Sequence, residues 1–146
     1  MLTIDLICVG KMKGQHFAPA FDHYLKQIKA KITIIEIDAK STPDEHKRIM
    51  EHISPKACII VMDERGKNLS SREWAQKIND FQISGRGYLQ FIIGGADGLN
   101  EDIRNKADLI LSFGMQTWPH MLLRVMWAEQ IYRALQILAG HPYHRD

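Results

Sequence analysis

The sequence predicts one α/β domain, a mostly parallel sheet with helices on both faces, and three observations support this. Short apolar runs alternate with amphipathic stretches along the whole chain. Those runs are near-continuous in Ile, Leu and Val, as strands covered on both faces require. At 146 residues the chain suits a single domain over 1–146, and no repeat, low-complexity stretch or linker divides it.

Each element has its own warrant. "LTIDLICV" at 2–9 reads as the first strand, followed by a helix over 16–29. "ITIIEI" at 32–37 is a strand, and 43–53 a helix with Pro43 near its start. "ACIIVMD" at 57–63 is a strand ending in a charged turn, "MDERGKNLS". Ser70 and Glu73 form a capping box that opens a helix over 70–83. "YLQFIIGG" at 88–95 and "LILS" at 109–112 are strands, separated by a short helix over 100–106 that Asn100 caps.

The last helix, over 121–139, is the most informative. At 100° per residue Glu129, Arg133 and Gln136 cluster on one side, with Gln130 at the margin. The apolar arc covers roughly half the circumference, wider than the ~100° that one buried face needs. Met121, Val125, Ala128, Tyr132 and Leu135 fill one half, and Trp127, Ile131, Ala134 and Leu138 the other. Either the helix serves two partners, the sheet and a second subunit, or it is deeply buried within one chain. Arg124 interrupts the arc. A guanidinium there must snorkel, meet a carboxylate or line a cleft.

A net charge of +2 and a pI near 8.6 permit an RNA partner without demanding one. Lys11, Lys13, Lys26, Lys29 and Lys31 form the evident basic cluster. No apolar run approaches the roughly 20 residues of a membrane span, and the start does not read as a signal peptide. Cys8 and Cys58 lie in strand-like runs and read as buried, reduced thiols. Together these features point to a cytoplasmic protein without a membrane partner.

Ligands of open α/β sheets bind at the carboxyl ends of the strands, where three loops stand out. "GGADGLNED" (94–102) turns on glycines but matches neither dinucleotide nor P-loop fingerprints. Its acids Asp97, Glu101 and Asp102 disfavour a pyrophosphate and suit a ligand with a positive centre. "MDERGKNLS" (62–70) is a weaker candidate. "SFGMQTWPH" (112–120) is oddly apolar, and Phe113, Met115 and Trp118 could wall a pocket for a flat ligand such as adenine. His120, His141 and His144 lack the spacing and companions of a zinc site, so no metal is expected. A non-catalytic assembly factor would account for the lysines and the final helix, but not for three such loops.

The segments "VGKMKGQHFAPAFDHYLKQI", "MDERGKNLSSREWA", "FIIGGADGL", "WPHMLLRVMWAEQIYRALQI" and "GHPYHRD" occur in the order and spacing of one family. The chain resembles the bacterial ribosomal RNA large subunit methyltransferase H family, the 23S rRNA pseudouridine N3-methyltransferases, over nearly its whole length. It departs from the family's more usual Leu–Ser at Phe113–Gly114. The resemblance implies a SPOUT-class fold with a C-terminal trefoil knot, a homodimer, and S-adenosylmethionine as methyl donor. It implies methylation at N3 of a pseudouridine in a 23S rRNA hairpin loop, in the assembled ribosome. Met62, Gly94, Phe113, Gly114, Met115, Gln116, Thr117 and Trp118 would hold the cofactor.

On this reading residues 141–146 fold over the cofactor site, that of the other subunit given the double-faced helix. Arg145 would grip RNA, Tyr143 would stack or hydrogen-bond, His144 or His120 would accept a proton, and Arg124 would line the cleft.

Overall fold

The computed structural model describes residues 2–146, and its elements follow the expected alternation. Five strands, β1 (Thr3–Val9), β2 (Lys31–Ile37), β3 (Cys58–Asn68), β4 (Tyr88–Ile93) and β5 (Leu109–Ser112), form one sheet in the order β2-β1-β4-β3-β5. Every pairing between them is parallel. The helices are α1 (Ala18–Gln27), α2 (Thr42–His52), α3 (Ser71–Ile83), α4 (Glu101–Asn105) and α5 (His120–Leu138). This is the single α/β domain the sequence predicts, and its strand order is consistent with the trefoil knot the resemblance implies.

The period-two geometry of strands splits the apolar runs between two cores. Ile4, Leu6 and Cys8 of β1, with Leu89, Phe91 and Ile93 of β4, face α1, α3 and α5. Ile7 and Val9, with Val61 and Ile92, face Ile49 of α2 and Ile103 of α4. On the first face Phe91 stacks parallel to Trp74 (6.2 Å) and meets Trp127 edge-on (5.5 Å). Both thiols are buried and unpaired, and burial pushes Cys8 up to about 12 and Cys58 up to about 11.

The helix starts follow local chemistry. Ser70 and Glu73 satisfy each other's backbone N–H groups as a capping box. Asn100 accepts from the Ile103 N–H at 3.0 Å. Ser41, which carried no weight in the sequence, accepts from the Asp44 N–H at 3.2 Å.

One expectation is corrected and one open alternative decided. The charged stretch after Met62 is not a turn between elements: β3 runs on to Asn68, with a register shift in which Leu111 opposes both Met62 and Lys67. The extra residues loop out there, and the strand resumes against β5. Gly66 makes this possible, since a Cβ would lie 2.6 Å from the Ile110 carbonyl carbon and 2.7 Å from Leu111 N. Backbone cannot give way as a side chain can.

Of the two alternatives for the α5 arc, burial within one chain accounts for most of it. One buried stripe, Met121, Arg124, Trp127, Ala128, Ile131 and Ala134, draws on both halves of the arc, and α1 and α3 flank the helix. Most of the arc's width is therefore used within one chain. Leu122 and Met126 stay partly exposed and outside both cores.

Candidate active site

At the carboxyl ends of β3, β4 and β5 lies a cavity of about 680 Å³, within the roughly 300–1,000 Å³ range of small-molecule sites. Three loops and the start of α5 build it. The β3 bulge contributes Asp63, Glu64 and Arg65 beside Met62, and the loop after β4 contributes residues 94–99. Residues 112–114 and 116–119, then His120 and Leu123, close the third side. The three loops singled out in the sequence therefore converge on one cavity.

Close packing fixes these walls. A Cβ on Gly94 would lie 2.9 Å from both the Gly98 oxygen and the Leu99 side chain, so only glycine fits there. The Thr117 hydroxyl donates to Glu64 (3.0 Å), tying the third loop to the β3 bulge. The Thr42 hydroxyl donates to Asp97 (2.7 Å), anchoring the glycine loop on α2. Phe113 lines the cavity and stacks on Trp74 at 5.5 Å, while the Trp118 indole N–H donates to the Phe113 carbonyl (3.1 Å).

Asp63, Glu64 and Asp97 outnumber Arg65 along the lining, so the field inside favours a cation. Glu101 and Asp102 do not share in it; they occupy the first turn of α4.

Of the expected cofactor residues, Met62, Gly94, Phe113, Gly114, Gln116, Thr117 and Trp118 line the cavity. Met115 does not: it is 93% exposed and does not wall the pocket as expected, while Trp118 lines the cavity although it is 38% exposed. Gly114, at φ 101, turns the loop there and sends the neighbouring side chain outward.

The proposed catalytic residues divide into three places. His120 lines the cavity, and burial, followed by the nearby Arg124 charge, holds its imidazole below the usual histidine range. Arg124 does not line the cleft. It is fully buried, donating to Glu36 Oε2 and to the Val9 and Gly10 carbonyls at 2.6 Å each. Glu36 accepts in turn from the Met12 N–H at 2.8 Å. Of the three options for Arg124 the structure realises the carboxylate, Glu36, readable in sequence only as the acid at the end of an apolar strand.

Tyr143, His144 and Arg145 lie at the far end of α5. His120 opens the nineteen-residue helix and they lie beyond its last turn, roughly 28 Å away at 1.5 Å per residue. They do not cover the cavity of their own chain. The tail instead docks on α5 and α3. The Tyr143 hydroxyl donates to Glu129 (2.7 Å), and the Arg133 guanidinium sits 4.7 Å over its ring. Arg133 also donates to His144 Nδ1 (3.1 Å), which leaves the ring proton on Nε2 to donate to Asp146 (2.9 Å). Arg72 of α3 holds Asp146 with bonds of 2.8 and 2.9 Å.

Burial and the Glu129 bond push the Tyr143 phenol up to about 12, so it stays a donor at neutral pH. Arg145 is exposed and makes no ion pair among the described residues. The sequence did not reveal Glu129, Arg133 and Arg72 as anchors of the tail, because on a helical wheel they read as ordinary solvated residues.

Comparison with known proteins agrees with this geometry. A family model described as "Predicted SPOUT methyltransferase" matches residues 2–144. A ribosomal RNA large subunit methyltransferase H from Rhodospirillum centenum is 42% identical, covering 99% of both chains. Its namesake from Carboxydothermus hydrogenoformans is 38% identical over 99% of this chain and 100% of the relative. A probable methylase family protein from Haemophilus influenzae shares the fold, with a TM-score of 0.62 at 12% identity over 100% of this chain and 72% of its own. The cavity walled by three strand-end loops, and the relatives that match the chain from end to end, place this protein in the SPOUT methyltransferase family, with the ribosomal RNA large subunit methyltransferases H.

Proposed function

We propose that this protein uses S-adenosylmethionine to methylate N3 of a pseudouridine in a 23S rRNA hairpin loop, acting on the assembled ribosome as a homodimer. The observation that carries this reading is the cavity at the strand ends, whose lining combines Phe113, Trp118 and Leu123 for a flat ring with Asp63, Glu64 and Asp97 for a positive centre. Relatives named as large-subunit rRNA methyltransferases supply the substrate class.

When bound, S-adenosylmethionine supplies a methyl group activated by its sulfonium charge. Met62, Gly94 and residues 113–118 other than Met115 would hold it, and Asp63, Glu64 and Asp97 offset its charge. The protein's remaining work is orientation and proton removal. A methyl group can replace the N3 proton only if a base takes that proton. His120 would serve as that base: it lines the cavity, and its pKa, held below the ordinary histidine range by burial, favours the neutral ring at pH 7. His144 is less suited, with both ring nitrogens engaged by Arg133 and Asp146.

A tail that cannot reach its own cavity without leaving α5 supports the homodimer: Tyr143 and Arg145 of one chain would complete the cavity of the other. Their roles are to stack against or hydrogen-bond the base and to grip RNA phosphate.

The direct test is transfer of labelled methyl from S-adenosylmethionine to intact ribosomes lacking the modification, with free 23S rRNA alongside. Label on a pseudouridine of the ribosome, and little on free RNA, is expected. No label on either, with the cofactor bound, would overturn the acceptor.

A second expectation concerns pH. His120 must be neutral to accept, and its pKa lies below the ordinary 6.5. Activity therefore holds as pH falls to 6.5 and declines only below it. His120→Gln should lower kcat by about 10²–10⁴-fold and remove that acid limb. A variant that kept the same limb would show that another group titrates.

A further inference from the structure

The five lysines that look like one basic cluster in the sequence occupy opposite ends of the sheet. Lys26, Lys29 and Lys31 lie at the end of α1 and the start of β2, where Lys31 pairs with Thr3. Lys11 and Lys13 follow the far end of β1, about six residues or ~20 Å along the strand. Only this second pair is near the cavity. A Cβ on Gly10 would lie 3.7 Å from His120 Nε2, and His120 is part of the cavity wall.

The 10–16 loop has the features of a contact surface. Lys11 and Lys13 are exposed, neither makes an ion pair among the described residues, and the segment 10–17 contains no acid. Its stem is rigidly held: Arg124 grips the Val9 and Gly10 carbonyls, Glu36 takes the Met12 N–H, and the Gly10 N–H donates to Ile37 (2.8 Å). A buried ion pair is thus used to fix an exposed basic loop beside His120.

The strand ends therefore carry two fields, an acidic cavity and a basic lip next to it. An acidic cavity repels a nucleic-acid backbone, so a base can enter only if its flanking phosphates are held outside. We propose that the 10–16 loop is the RNA backbone grip of this enzyme, with Lys11 and Lys13 neutralising phosphates that flank the target nucleotide. Arg124 and Glu36 are then positioning residues that set the grip's distance from His120. The proposal rests on the methyltransferase reading and adds where the RNA lies.

The test is steady-state methylation of unmodified ribosomes at several salt concentrations. For the double variant Lys11→Ala/Lys13→Ala, KM for ribosomes should rise about tenfold or more while kcat and S-adenosylmethionine affinity stay unchanged. The log–log salt dependence of kcat/KM should become shallower by about one to two, the share of two lost phosphate contacts. Lys26→Ala/Lys29→Ala, at the opposite end, should match the wild type. Unchanged KM and salt dependence in the first variant, or an equal change in the second, overturns the grip while leaving the methyltransferase reading intact. A wild-type protein that labels no ribosomes overturns both.

Discussion

Arg124→Met is expected to destabilise the protein by about 3 kcal/mol and to cost most of its activity. The loss would come from Glu36, whose side chain is 31% exposed, and from two backbone carbonyls left without their cation. Removing one partner of a buried pair costs about 3–5 kcal/mol, and the partial exposure of Glu36 sets the lower end. Glu36→Gln keeps an oxygen for both Arg124 and the Met12 N–H, so it should lose only about 1 kcal/mol. Urea denaturation of the two variants reads this difference. Equal losses would mean that charge, rather than the geometry of the clamp, is what matters.

Truncation of residues 141–146 should give the opposite pattern, an intact fold with the chemistry gone. No tail residue lines the cavity, so S-adenosylmethionine affinity by calorimetry should stay within a few-fold of the wild type. Methyl transfer should fall by at least about a hundredfold, since positioning and hydrogen-bonding groups commonly contribute that much. Full activity in the truncated protein would show that the tail serves only to cover α5 and α3.

These two variants separate what the sequence could reveal from what it could not. Strand positions, helix caps and the three loops were legible because they depend on local pattern: apolar runs, Ser70 with Glu73, glycines at 94, 95 and 98. The family motifs added the residues expected to hold a cofactor, and all of these but Met115 line the cavity. What stayed hidden depends on contacts between distant segments. The continuation of β3 past Met62 is decided by its pairing with β5, and nothing within "MDERGKNLS" announces it. The division of the lysines follows from which end of β1 each neighbours. The tail's docking rests on Arg72 and Asp146, 74 positions apart.

The Arg124 clamp also bears on how the chain assembles during synthesis. Its partners emerge first: Glu36 lies 88 positions earlier, and the Gly10 and Val9 carbonyls 114 and 115 positions earlier. Until α5 is made, Glu36 has no cation and the stem of the loop after β1 lacks the Arg124 bonds to the Val9 and Gly10 carbonyls, keeping only those made by the Gly10 and Met12 N–H groups. Domains fold as units once their closing segments are available. Binding competence would thus arrive last, so an incomplete chain would not compete with finished enzyme for RNA.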